Sequence, residues 1–247
     1  MKENREVSLG EPPADAARAP LKRKKKSTLR EYAEAILFAV LITFLIRSFI
    51  VQAFRIPTGS MKDTLLVGDF LFVNKFLYGA PVPLTHARLP ELRGPRPGDI
   101  IVFKYPRDPK RDFIKRCIAV EGQTIEVRDG QVFVDGAPEG TLDFVRSAYD
   151  TEENREMSYF KVTRPNGVTY TVRRADERYQ INTAFGPKVV PPGQLFMMGD
   201  NRDNSEDSRR WGFLDQSLVK GKAMFIYWSW DHEKKLPRVN RILDIIH

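Results

Sequence analysis

From residue 55 onward the chain is a series of short apolar or alternating runs separated by turn signals, and this pattern restricts it to a β-sheet fold. Phe70-Leu71-Phe72-Val73, Asp99 to Phe103, Phe113 to Val120 and Gln131 to Val134 are such runs. Arg96-Pro97-Gly98-Asp99 and Arg128-Asp129-Gly130 punctuate them. Two more runs lie downstream, Lys161 to Val172 around Pro165-Asn166-Gly167, and Gln194 to Met198 after Pro191-Pro192-Gly193. No long helical period interrupts this stretch, so the body is expected to be mainly β. Residues 137–187 are more polar, with the charged stretch Asp150 to Glu156 and a hairpin signal at Asn166-Gly167, and read as an inserted second β lobe.

The first 52 residues follow a different pattern. Lys22-Arg23-Lys24-Lys25-Lys26 is followed by Ala35 to Ile46, an apolar run broken only by Thr43. Extended from Tyr32 to Val51, it reaches the ~20 residues that a membrane-crossing helix requires. A buried core helix fits poorly beside so basic a block. A cleavable leader lacks a small-x-small site, because Arg47-Ser48-Phe49-Ile50 follows. The segment is therefore expected to be an uncleaved anchor over 31–52, with the basic tail of 1–30 kept in the cytoplasm by the positive-inside rule and the rest of the chain on the far side.

Charge distribution argues against a polyanion partner. Residues 1–30 hold nine Lys or Arg against four acids, so +5 of the total +8 sits there and the remaining 217 residues carry only +3. The single cysteine, Cys117, permits no intrachain disulfide, and His86, His232 and His247 lack metal-ligand spacing, so no metal or other cofactor is expected.

Three segments carry chemistry, and each has an ordinary alternative. In Ile56-Pro57-Thr58-Gly59-Ser60-Met61-Lys62-Asp63-Thr64-Leu65, Gly59 lets the chain turn beside a presented Ser60 hydroxyl; the segment also reads as a plain turn. In Phe113 to Val120, Lys115 interrupts an apolar strand. It is either a buried amine with a lowered pKa or a solvent-facing guard on a strand edge. The loop Gly199 to Gly212 carries Asp203, Ser205 and Asp207 two residues apart, as a calcium loop would, but lacks the glycine and distal glutamate of that motif.

In this order, Pro57-Thr58-Gly59-Ser60-Met61, Arg96 to Phe103, Phe113-Ile114-Lys115-Arg116 and Gly199-Asp200-Asn201-Arg202-Asp203-Asn204-Ser205 through Asp207-Ser208-Arg209 resemble the bacterial type I signal peptidase (leader peptidase) family, over roughly residues 30–230. The resemblance implies a serine endopeptidase at the outer face of the inner membrane that cuts exported preproteins after Ala-x-Ala. Its catalytic β core would be 53–136 with 188–235, followed by a C-terminal tail at 236–247. It implies Ser60 as nucleophile and Lys115 as general base, with Ser205 bonded to the Lys115 amine. An oxyanion hole would form from the Ser60 N–H and the hydroxyl of Thr58, where serine is usual. Asp200, Asp207 and Arg209 would support the site. Asp63 stands where many relatives have proline. By position, Phe54, Ile56, Met61, Leu65 and Ile114 are expected to line the substrate pockets, core packing being the alternative for each. The expected partners are preprotein signal peptides and the lipid bilayer, with no nucleic acid; the oligomeric state is not set by the sequence. Trp228 and Trp230 suit either a membrane interface or a core strand. A self-cleaving repressor-type regulator with the same dyad, or a tethered binding module, are the rival readings.

Overall fold

A computed structural model describes residues 28–80, 82, 85, 87–175 and 184–247. The expected basic tail lies outside these residues except for Thr28 to Arg30, as do His86 and positions 176–183 of the expected insert. The chain divides into two units, residues 1–41 and 42–247.

In the first unit the described residues belong to helix α1 (Thr28–Leu45), which buries none of its side chains. Leu37 and Phe38 are among the apolar groups it leaves exposed. The helix ends seven residues before the expected end of the anchor at 52. A π-helical turn over Ile46–Ile50 follows, and Val51 and Gln52 already belong to a strand. Among the described residues, no helix is long and apolar enough to cross a membrane.

The second unit is built on an eight-stranded sheet with the order β1 (Val51–Arg55), β2 (Asp69–Asn74), β14 (Val219–Asp231), β3 (Ile100–Tyr105), β4 (Asp108–Val120), β12 (Gln194–Met198) and β13 (Leu214–Asp215); β15 (Leu236–Pro237) pairs with β14. A four-stranded sheet runs β11 (Phe185–Val189), β5 (Thr124–Arg128), β6 (Gln131–Val134) and β7 (Ala137–Pro138). The β5–β6 turn places Asp129 and Gly130 at φ 48° and 70°, which suits the Asp-Gly pair seen in sequence. The expected insert of 137–187 is shared between two sheets. β8 (Thr141–Asp150), β9 (Arg155–Thr163) and β10 (Thr169–Ala175) form a separate three-stranded sheet, whereas β7 and β11 pair with strands of the four-stranded one.

Side-chain alternation on β3 and β4 builds the core on both faces of the main sheet. Ile100, Val102 and Ile114 join one cluster with Met61, Leu65, Leu71 and Ile226. Ile101, Phe103 and Cys117 join another with Leu195 and Met197. Burial pushes the Cys117 thiol pKa up, so it behaves as a small core group. Trp228 is exposed across from Phe70, while Ser229 beside it is buried and donates to Asp69 Oδ1 at 2.6 Å. The segment 236–247 touches the core only near its end: the backbone of Ile245 bridges Phe225 and Ile246 enters the core, while Leu236, Val239 and Leu243 are exposed.

Candidate active site

Ser60 sits in a one-turn 3₁₀ helix (Gly59–Met61) between β1 and β2. Lys115 lies on β4, opposite Ile101 of β3. Although 55 residues apart, the two side chains meet, with 2.6 Å between Nζ and Oγ. The amine also donates to Ile114 O at 2.9 Å and stands 5.2 Å from the centre of the Phe113 ring. Lys115 is 3% exposed. Burial lowers its pKa to about 8; Asp207, Asp200 and Glu206 pull it upward and Arg209 opposes them. Desolvation exceeds the carboxylate attraction because no acid bonds the amine directly. Of the two readings of this lysine, the structure selects the buried one.

Asp200, fully buried, accepts two bonds from Arg116 at 2.9 and 2.8 Å and one from Thr64 at 2.6 Å. Asp207 accepts from Gly199 N at 3.1 Å and from Arg209 Nε and Nη2, both at 2.8 Å. Burial raises the Asp207 pKa, but the Arg209 guanidinium outweighs it and the net shift is downward. Arg209 also donates to Arg202 O, so Asp207 and Arg209 hold the two ends of the loop together.

Ser205 is placed differently from expectation. It lies against Gly199 and the Ser60 backbone: a Cβ at Gly199 would collide with Ser205 Oγ and, at 2.5 Å, with Ser60 O. The expected bond from its Oγ to the Lys115 amine is not made; the hydroxyl instead helps lower the pKa of the Asp207 carboxylate. The glycine that a close approach requires is thus Gly199. At Gly59 an added Cβ would meet only Lys62 methylenes, at 3.1–3.3 Å. Asp63 adopts φ 72°, a value the proline ring forbids, so the departure there changes the conformation of the turn as well as its stiffness.

A cleft of about 520 Å³ opens over the pair, lined by Thr58, Gly59, Ser60, Ile114 and Lys115. Of the expected pocket residues only Ile114 lines it. Ile56, Met61 and Leu65 are buried in the core cluster, with Phe54 packed against it. These four are therefore placed by packing in and against the core beside the main sheet. Phe113, part of the lysine-bearing motif, also lines the cleft, as do Arg111, Asp112, Asn204 and Glu206, to which the sequence assigned no role. A signal for Arg111 was present, since Arg111, Phe113 and Lys115 follow one another at a spacing of two and share a face. From Asp108 to Lys115, β4 pairs with β3 on one side only, because β12 joins it from Arg116 onward. A strand edge is therefore open beside the cleft. No group of residues able to hold a metal occurs among those described.

Residues 29–228 match the family described as signal peptidase, peptidase S26. The signal peptidase I of Pseudomonas fluorescens is 36% identical over 235 residues, covering 90% of this chain and 81% of that protein. That of Aquifex aeolicus is 38% identical over 232 residues, covering 81% and 85%. A crystal structure of a signal peptidase I from Enterococcus faecalis, 27% identical, covers 53% of this chain and 98% of its own with a TM-score of 0.34, too low to compare the folds. Family membership follows from the extent of the sequence matches: the chain belongs to the signal peptidase family, peptidase S26.

Proposed function

We propose that this chain is a serine endopeptidase that removes signal peptides from preproteins, with Ser60 as nucleophile and Lys115 as general base. The observation that carries the reading is a serine hydroxyl 2.6 Å from a buried amine whose pKa lies near 8. A neutral amine takes the hydroxyl proton as Oγ attacks the scissile carbonyl carbon, and the carbonyl becomes an oxyanion. Lys115 then passes that proton to the leaving amine as the peptide bond breaks, leaving an acyl group on Ser60. Water, deprotonated by Lys115, attacks the ester, and the proton returns to Ser60 as the acid product leaves. Proton transfer of this kind contributes about 10²–10⁴-fold.

The Ser60 N–H and the Thr58 hydroxyl, both at the cleft, are the proposed oxyanion donors. Asp200, Asp207 and Arg209 hold the surrounding loop, and Ser205 packs beneath the nucleophile. The open edge of β4 suits an extended peptide added as a strand, and Ile114 suits a small apolar side chain such as that of an Ala-x-Ala site.

Attachment to the bacterial inner membrane belongs to the same proposal. The exposed apolar side chains of α1 and the basic run Lys22–Lys26 support it, with the N-terminus cytoplasmic and the body on the outer face. Protease digestion of intact spheroplasts should remove the body, and its protection would refute that orientation.

Purified protein should cleave a preprotein at its leader, and Ser60→Ala and Lys115→Met should each lose at least about 10³-fold in kcat/KM. Cleavage undiminished in either variant refutes the dyad.

A further inference from the structure

Asn201, which no role above uses, bonds both carbonyls that flank the Ser60 amide. Its backbone N–H donates to Ser60 O at 3.1 Å, and its side-chain Nδ2 donates to Gly59 O at 3.1 Å. The Gly59 carbonyl and the Ser60 N–H belong to one planar peptide unit and point in opposite directions. Whatever fixes the direction of Gly59 O therefore fixes the direction of the Ser60 N–H. In a turn that begins at Gly59, this N–H stands outside the helical ladder. Inside the turn, Gly59 O accepts only from Lys62 N, at 3.0 Å.

The amide of Asn201 is in turn held from the three-stranded sheet. Its Nδ2 donates a second bond, at 2.7 Å, to Glu153 Oε1 in the turn between β8 and β9. Both neighbours of this nitrogen, Gly59 O and the Glu153 carboxylate, are acceptors, so a flipped amide would set oxygen against oxygen at both. Glu153 is fixed by Arg173 and by Arg155, the latter at 2.6 Å. Asp150, the last residue of β8, pairs with Arg173 at 2.5 Å and with Lys62 at 3.3 Å, and Lys62 also pairs with Glu152 in the turn. Lys62 directly follows the nucleophile turn. Asn201 is fully buried and Arg173 is 1% exposed, so solvent screens these contacts little.

We infer that Asn201, oriented by Glu153, is a positioning residue that aims the Ser60 N–H at the oxyanion, and that the β8–β9 turn thereby supports catalysis. This rests on the proposed role of Ser60. The network differs from a mere tether of the insert in what it should change: the oxyanion exists only after attack, so kcat should fall while substrate binding stays.

The test uses the full chain, a preprotein substrate, and a peptide boronic acid that forms a tetrahedral adduct on Ser60. Asn201→Asp keeps the side-chain shape but presents an acceptor to Gly59 O. It should lower kcat by about 10–100-fold, leave KM within about twofold, and weaken the boronate by the same factor as kcat. Glu153→Gln, which keeps its shape and loses only charge, should lower kcat by about 3–10-fold in the same pattern, and it decides the matter should Asn201→Asp fail to fold. A folded variant with unchanged kcat, or one whose loss lies in KM with boronate affinity intact, overturns the inference. Should Ser60→Ala also cleave like wild type, the proposed function fails first; an inactive Ser60→Ala beside an unaffected Asn201→Asp sinks the positioning role alone.

Discussion

Lys115 and Arg116 are consecutive cations on β4, both buried, and the fold gives them opposite electrostatic environments on the two faces of the sheet. Arg116 meets Asp200 through two bonds, donates to Gly98 O and His247 O at 2.9 and 3.0 Å, and stacks 3.8 Å over the Tyr170 ring. Burial alone would lower its pKa, but the Asp200 carboxylate more than reverses this and keeps it charged. Lys115 has a hydroxyl and a carbonyl for company, and its pKa drops to about 8. A buried cation with a carboxylate in contact becomes a fixed structural charge. One with only neutral partners becomes a group able to give up its proton near neutrality.

Asp200→Asn should strike this contrast hardest. It strands the Arg116 charge, and denaturant unfolding should show a loss of about 3–5 kcal/mol. A loss below about 1 kcal/mol would mean that the neutral partners of Arg116 suffice. Lys115→Met should act in the opposite direction, raising stability at pH 7 by about 2 kcal/mol in the same assay because it removes a charge buried with no carboxylate in contact. The folded protein gives up the Lys115 proton near pH 8 and the unfolded chain near 10.5, so wild type gains stability across that window and the advantage of methionine should shrink there. An advantage that is absent at pH 7, or constant with pH, would show that the amine is not penalised by burial.

The contrast also sets the pH dependence of the rate. Only the neutral amine accepts a proton, so kcat/KM should rise about tenfold per pH unit on the acid side and level off above pH about 8. Lys115→Arg should be inactive at every pH, because a guanidinium does not deprotonate in this range. A profile that is flat from about pH 6 to 10 would contradict the base assignment, since those limits enclose the lowered pKa and most of the approach to the ordinary lysine value.

Local order was legible at several points because it depends on neighbouring residues. The alternating runs gave strands, and Asp129-Gly130 and Asn166-Gly167 gave hairpins, since glycine at positive φ decides such turns within a few residues. The span expected as an anchor, 31–52, departs from the structure at its C-terminal end. Apolar character continues past Leu45, but pairing with β2 draws Val51 and Gln52 into a strand, which hydropathy does not register. Pocket residues were ambiguous for a related reason: Ile56, Met61 and Leu65 are apolar whether they face a substrate or the core, and only the fold places them in the core cluster.

By itself the sequence determined that the body is mainly β, that its charge lies largely in the first 30 residues, and that a serine turn, a lysine-bearing strand and an Asp-rich loop carry the motifs of one family. The tertiary structure decided everything that depends on residues far apart in the chain. It brought Ser60 to Lys115 and Asp200 to Arg116, set Ser205 against Gly199 rather than on the Lys115 amine, and laid the β8–β9 turn against Asn201. The reason is physical: whether a buried charge is neutralised or depressed depends on what stands within a few ångströms of it, and that distance is fixed by sheet register and packing rather than by sequence separation.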